Sequence, residues 1–243
     1  MPTRLLIPRN DYLASGLHIG MKQRTADMRE FIYKVRSDGM SVLNLRKVDE
    51  RIRSAAKFIA QSQKVMVVGR KQVVHEAIKK FCDVTGSECV VGRFLPGTLT
   101  NPKFRKYFEA DVIVISDPLI DYQALQESVS ARVPIIGICD TFNETRNLDL
   151  IIPANNKSRK SLATLFWLLA REVLKLRGKI GSDKEFKFTI EDFGGREEYE
   201  RYEERYERRD DREDRDGRGR GDRDDRRGSD RGGRGSRGRS SRR

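Results

Sequence analysis

The sequence is poor in the residues that carry most metal, redox and cofactor chemistry. It holds three cysteines, two histidines and one tryptophan in 243 residues. Cys82, Cys89 and Cys139 are an odd number without C-x-x-C spacing, which argues against a disulfide framework or a zinc knuckle. They read as small apolar core residues of a reduced, cytosolic protein. His18 has no second histidine or cysteine close by in sequence, so a structural role is expected of it. No apolar run approaches the roughly 20 residues of a membrane span, and the opening Met1-Pro2-Thr3-Arg4-Leu5-Leu6-Ile7-Pro8 has too short an apolar run for a signal peptide. No membrane partner is expected.

Nucleotide signatures are missing as well. Gly69-Arg70-Lys71-Gln72 follows a strand-like run but lacks the GxxxxGK[ST] pattern, and no GxGxxG opens a helix. There is no GxSxG elbow and no HExxH. Asp117, Asp121 and Asp140 stand singly at strand ends. Such carboxylates cap helices or hold loops more often than they bind magnesium. The sequence therefore implies no cofactor, no metal and no small-molecule substrate, although a nucleotide-dependent α/β enzyme remains the competing class.

Charge is what the chain has in abundance. Charged residues make up 36% and hydrophobic residues 37%, with a formal net charge of +13. Roughly +10 lies before residue 196 and roughly +3 after it, so the foldable part is basic in its own right. Such an excess attracts polyanions.

Along the chain, Asn10–Ala14 is helix-like, and Gly16 and Gly20 mark close backbone approach or unusual dihedrals. Phe31–Val35 and Ser41–Leu45 read as a small hairpin around Ser37-Asp38-Gly39. Val48, Ile52, Ala55, Ala56 and Ile59 recur at helical spacing. The opposite face carries Arg46, Lys47, Arg51, Arg53 and Lys57, either tracking phosphates or simply solvated. Five apolar strands come next, at Val65–Gly69, Glu88–Val91, Asp111–Ile115, Pro134–Cys139 and Leu148–Ile152. Helices are expected at 72–85, 102–109, 121–131 and about Ser158–Arg177. Strands apolar throughout that alternate with helices indicate a parallel sheet covered on both faces. The expected fold is a three-layer αβα sandwich: a five-stranded, mainly parallel, doubly wound (flavodoxin-like) sheet of order 2-1-3-4-5, a small N-terminal hairpin and a disordered C-terminal tail. The expected boundaries are 1–178 for the α/β domain, with extension and hairpin at 1–45 and sheet core at 46–178. Residues 179–195 read as a linker, with a short docking strand over Phe186, Phe188 and Ile190 as the alternative, and residues 196–243 as an Arg/Asp/Gly-rich tail.

The polar residues then gather at the carboxyl edge of the sheet, where such folds place ligands. Arg70-Lys71 follows the first strand, the Arg93 loop the second, Asp117-Pro118 the third, Asp140-Thr141 the fourth and Asn155-Asn156-Lys157 the fifth. Pro96-Gly97 is a turn pair, and Asn101-Pro102 resembles a helix cap followed by a first-turn proline. Two readings of this loop stand: a solvated strand-to-helix connection, or an anion site. The candidate RNA contacts are Lys22, Arg24, Arg46, Arg51, Arg53, Arg70, Arg93, Thr98, Asn101, Lys103, Arg105, Asn155, Asn156, Lys157, Arg159 and Lys160. Cations bind phosphates, and Asn bonds phosphate, sugar and base edges alike.

Several stretches carry a family resemblance. They include Gly16-Leu17-His18-Ile19-Gly20, Phe31-Ile32-Tyr33-Lys34-Val35-Arg36, Asp49-Glu50-Arg51-Ile52-Arg53, the run Gly92–Pro102, Asp117-Pro118, Gln126-Glu127 and Pro153-Ala154-Asn155-Asn156-Lys157. In this order they resemble the small-subunit ribosomal protein S-two family, in its archaeal form. Ala110, Ala154 and Ser158 depart from the family's usual residues. The resemblance implies a three-layer α/β protein that is not an enzyme. It also implies a structural constituent of the small ribosomal subunit, cytoplasmic and ribosome-bound, with small-subunit rRNA and neighbouring ribosomal proteins as partners. The tail lies outside the shared pattern. Its Arg231 and Arg234 sit in RGG-type segments, which bind single-stranded RNA. A free RNA-binding protein or RNA chaperone acting through that tail is the alternative reading.

Overall fold

The computed structural model describes residues 5–195. Helix α1 (Arg9–Ala14) is followed by a 3-10 turn at Asp27–Phe31 and an antiparallel hairpin of β1 (Ile32–Val35) and β2 (Ser41–Leu43). Gly39 closes the hairpin turn with φ +84°, a conformation that L side chains resist. Helix α2 (Leu45–Gln61) begins where the Asn44 side chain accepts a hydrogen bond from the Arg46 N–H, and it buries Val48, Ile52, Ala55, Ala56 and Ile59.

The core is β3 (Val65–Gly69), α3 (His75–Thr85), β4 (Glu88–Val91), β5 (Val112–Ile115), α4 (Tyr122–Ala131), β6 (Ile135–Cys139), β7 (Leu150–Pro153) and α5 (Arg159–Leu176). The five core strands pair in the order β4-β3-β5-β6-β7, all parallel. This is the 2-1-3-4-5 doubly wound order that the alternation of apolar strands and helices implies.

Alternate residues of β3, β5 and the start of β6 divide between two cores. Val65, Val67, Val112, Val114, Ile136 and Ile138 join the larger core, built with α2, α3 and α5. Met66, Val68, Ile113, Ile115 and Ile135 join a smaller core with Ala124 and Leu125 of α4. The second face is therefore covered by one helix, α4, and one of the expected helices is absent.

The missing helix is 102–109. Its backbone makes successive three-residue turns, Phe104 N–H to Asn101 O at 2.9 Å and Tyr107 N–H to Phe104 O at 3.0 Å. The Asn101 side chain accepts from the Lys103 N–H at 3.1 Å, closing a local turn where an N-cap was expected. Between 102 and 109 only Phe104 and Phe108 are even half-buried, so no apolar stripe stabilises a helix. The 92–110 loop covers the sheet instead, through buried Phe94, Leu99 and Ala110.

The stretch 179–195 also differs from a linker, and no strand forms in it. It has 3-10 turns at Asp183–Glu185 and Glu191–Phe193 and packs on α3 and α5. Trp167 Nε1 donates to Phe188 O at 2.7 Å, and the Trp167, Phe186 and Phe188 rings meet edge to face. Phe193 is fully buried in the larger core. Phe186, Phe188 and Ile190 turn inward at the alternate spacing read from the sequence, without pairing as a strand, whereas Phe193 falls outside that spacing. We expect Phe193→Ala to lower the unfolding free energy by about 3–5 kcal/mol. Urea denaturation of the full chain checks this; a loss below about 1 kcal/mol contradicts the packing described.

Candidate nucleic-acid interface

The sheet is parallel, so the loops after β3, β4, β5, β6 and β7 emerge along one edge. The crevice they surround is filled by the chain's own polar side chains. Lys71 Nζ lies 2.5 Å from Asp117 Oδ2 and donates to Asn156 O at 3.2 Å. Asp117 Oδ1 accepts from Asn143 Nδ2 at 2.9 Å and from the Leu119 N–H at 3.1 Å. Asn143 Oδ1 accepts from Asn156 Nδ2 at 3.0 Å and from the Asp140 N–H at 2.8 Å. Asp121 accepts from the Arg70 N–H at 2.9 Å and from Ser116 Oγ at 3.1 Å. The three carboxylates are thus loop and helix-end acceptors. Among the described residues no group of three or more His, Cys, Asp or Glu is placed to hold a metal ion.

The network extends to the N-terminal segment. Asp140 accepts from the Thr141 N–H at 2.6 Å. Thr141 Oγ1 accepts from the Met21 N–H at 2.9 Å and donates to Gln23 O at 3.0 Å. Gly20 lies so close that a Cβ there would stand 2.4 Å from Thr141 Cγ2, which explains the glycine. Asn155 binds the same segment on the other side: its N–H donates to Leu17 O at 3.1 Å and its Nδ2 to Gly16 O at 3.2 Å. Burial pushes the Asp140 carboxyl up to about 6, opposed by the Thr141 N–H and Lys157. Burial likewise raises Asp121.

The sequence-predicted contacts now separate. Arg70, Arg93 and Lys157 are exposed on the carboxyl edge, and Lys22 and Arg24 join them on the segment that Thr141 clamps. Lys157 Nζ sits over the Phe142 ring at 4.6 Å. Arg159 pairs with Glu76 at 3.3 Å and Lys160 is half-buried beside it at the start of α5. Arg46 is exposed at the start of α2. Arg51 and Arg53 of the same helix are engaged by Glu30 and Asp49.

Asn155, Asn156 and Thr98 do other work than the contact role expected of them. Asn156 has no exposed surface, and Thr98 is buried and donates to Leu95 O at 2.7 Å. Asn155 Oδ1 accepts from the Lys157 and Ser158 N–H groups, shaping the turn into α5. Asn101, Lys103 and Arg105 are exposed but leave the carboxyl edge. Their loop crosses the α4 face towards the opposite edge, where Glu109 meets Lys64 and Asp111 accepts from the Gln63 and Lys64 N–H groups. Arg231 and Arg234 lie outside the described residues.

Asn143 was missed in the sequence, while Thr141 was placed at the carboxyl edge and Glu127 quoted in a family motif, neither with the role it has here. Glu127 accepts from the Gly97 N–H at 2.8 Å and the Leu99 N–H at 3.3 Å, pinning the loop to α4. Its signal is an acid inside the buried stripe Ala124, Leu125, Ser128.

Fold and edge together define a doubly wound α/β domain whose ligand crevice is closed by its own side chains and ringed by cations. The comparisons with known proteins specify it further. The ribosomal protein S2 family matches residues 12–110 and 105–175. Small ribosomal subunit protein uS2 of Thermoplasma acidophilum is 46% identical over 195 residues, covering 79% of this chain and 98% of that protein. The uS2 proteins of two Methanococcus maripaludis strains are 49% and 50% identical, covering 78% and 76% of this chain and 86% and 84% of theirs. The chain belongs to the ribosomal protein S2 family, an assignment its quoted motifs anticipate, and these relatives are archaeal as the form of those motifs suggests.

The network makes two measurable demands on stability. Removing one member of a buried ion pair leaves the other charge uncompensated. Asp117→Ala should therefore destabilise by about 3 kcal/mol or more, while Asp117→Leu combined with Lys71→Met should recover much of that loss in denaturant titrations. For Asp140 the folded carboxyl titrates near 6, above its ordinary value of 3.8. The folded state then binds more protons than the unfolded state between those values, so the Asp140 contribution is fully present below about 3.8 and is lost as pH rises through about 6. The stability of the natural protein relative to Asp140→Asn should fall between about pH 4 and about pH 7. A pH-independent difference in unfolding free energy would contradict the assignment.

Proposed function

We propose that the chain is a structural, non-enzymatic constituent of the small ribosomal subunit, cytoplasmic and ribosome-bound. In this reading it holds small-subunit rRNA along its carboxyl-edge rim, meets neighbouring ribosomal proteins elsewhere, and so supports subunit assembly and translation. The carrying observation is the division of labour at that edge. The buried network fixes the loops, while Arg70, Arg93, Lys157, Lys22 and Arg24 project outward and make no ion pair among the described residues. Cations on fixed loops neutralise phosphates at low ordering cost.

The α4 surface suits protein neighbours. Its exposed residues Tyr122, Gln123, Gln126, Val129 and Ser130 carry no charge, and Leu119 just before it is two-thirds exposed. Cations on this side, Lys103 and Arg105 among them, stand on the neighbouring loop, and the exposed aromatic and aliphatic side chains of the helix fit a protein contact.

Sedimentation of cell lysate tests the reading. The full chain should co-migrate with small subunits at low and high salt, with or without residues 196–243. Arg93→Ala and Lys157→Ala should each weaken incorporation several-fold, and each should reduce the salt slope by about one. Unchanged incorporation of both variants removes the rim from the rRNA contacts. Association only of the tailed form favours a free RNA-binding protein or chaperone acting through the tail.

A further inference from the structure

A pocket of about 500 Å³ lies between α1, the hairpin and the first turn of α2. That volume is in the range of small-ligand sites, roughly 300–1,000 Å³. It adjoins the rim. His18 lines it, and its neighbours Gly16, Leu17 and Gly20 are fixed to the β6 and β7 ends by Asn155 and Thr141. An RNA ligand at this position rests on the proposed rRNA role, which puts RNA along this side of the protein.

Three features of the pocket point to one ligand chemistry. The first is apolar surface left open at the mouth: Tyr33 is 68% exposed and Leu13 41%, over an aliphatic floor that includes Leu43 and Leu45. The second is cationic charge without a counter-charge. Arg9 and Arg46 line the pocket, and neither side chain makes an ion pair or hydrogen bond among the described residues. Arg51 and Arg53, farther along the helix that carries Arg46, have acidic partners. The first turn of α2 holds Arg46 and Lys47 with no acid, although cations are disfavoured at a helix N-terminus. That placement costs stability and concentrates positive potential at the pocket. The third is an uncharged polar edge. Asn44 uses its Oδ1 to cap α2 and leaves its amide nitrogen without a hydrogen bond among the described residues. His18 lines the same edge, where burial, with Arg36 and Arg9 nearby, pushes its imidazole down against a backbone hydrogen bond to Tyr12.

We infer that this pocket receives a single unpaired RNA nucleobase, stacked against Tyr33, with its flanking phosphates on Arg9 and Arg46. Aromatic walls that accept an extruded base, hydrogen-bonding groups for its edge and cations for its backbone are how proteins hold single-stranded nucleotides. A peptide without acidic residues would leave both guanidinium charges uncompensated, and a phosphate alone would leave the apolar mouth exposed.

The test uses small subunits carrying the full chain, with Tyr33 intact, Tyr33→Phe or Tyr33→Ala. The rRNA is probed with dimethyl sulfate and carbodiimide, and the protein content of each subunit preparation is measured. Tyr33 is exposed, so its substitution leaves the core intact. The expected result is one unpaired base, or two adjacent ones, protected by the natural chain and by Tyr33→Phe. It becomes about tenfold more reactive with Tyr33→Ala at equal protein content, consistent with the loss of one stacking contact. Arg9→Ala combined with Arg46→Ala should expose the same base and lower the salt dependence of its protection. Equal protein content with an unchanged reactivity pattern overturns the pocket alone, as does a photo-crosslink from position 33 to protein and not to RNA. Absence of the natural chain from small subunits overturns the ribosomal reading and the pocket with it.

Discussion

The contact between Lys71 and Asp117 fixes the carboxyl edge of this molecule. Lys71 follows β3 and Asp117 follows β5, so the pair bridges the strands at which the order of the sheet reverses. In doubly wound folds that point is the ligand crevice. Here the charge that a ligand would supply is supplied by the chain. Net stability is not the main effect of such a pair, because desolvation offsets most of the attraction. Its effect is exclusion. Any arrangement of the loops that parts the two groups strands a carboxylate with 1% of its side chain exposed. Asn143 and Asn156 extend the constraint to the ends of β6 and β7, and Thr141 carries it to residues 20–25.

A rim built on such a base differs from a rim of free surface cations. Lysine and arginine side chains lose rotamer freedom on binding, and a loop that must also order adds backbone entropy to that loss. The network removes the backbone part in advance. Arg70 stands on a residue whose N–H is held by Asp121, and Lys157 on one whose N–H is held by Asn155. The exposed cations therefore keep a fixed spacing, which suits an RNA recognised by shape and phosphate position.

The sheet was legible because its strands are apolar throughout and buried on both faces, so a parallel sheet followed from the alternation with helices, and its order is the simplest doubly wound one. The cations of the rim were legible for a related reason: in a parallel sheet every strand end lies at one known edge. What stayed hidden is what local pattern does not encode. Asn101-Pro102 has the chemistry of a helix start, but the residues after it bring no stripe to bury, and the loop takes its shape from Glu127 on another element. Asn155 and Asn156 have side chains able to bind RNA. Whether an amide turns outward or inward depends on partners at residues 16, 138 and 143, far away in sequence. Phe193 is buried by α3 and α5 in a stretch whose composition reads as a linker.

The same separation of buried and exposed chemistry sets the kind of function the fold supports. An α/β enzyme keeps its crevice open, with polar groups that await substrate. In this chain the groups in that position bond one another: Asp117 to Lys71 and Asn143, Asp121 to Ser116, Asn156 to Asn143. A small polar ligand entering the crevice would have to displace these contacts, each inside the protein, where an unpaired polar group is most costly. In the proposed role, recognition is thereby moved outward, from a cavity that selects a molecule to a surface that selects an arrangement of phosphates. The network reaches the pocket beneath the hairpin only through the backbone of residues 16–21, and at its mouth the chain leaves exposed Tyr33 beside Arg9 and Arg46, whose side chains have no ion pair or hydrogen bond among the described residues.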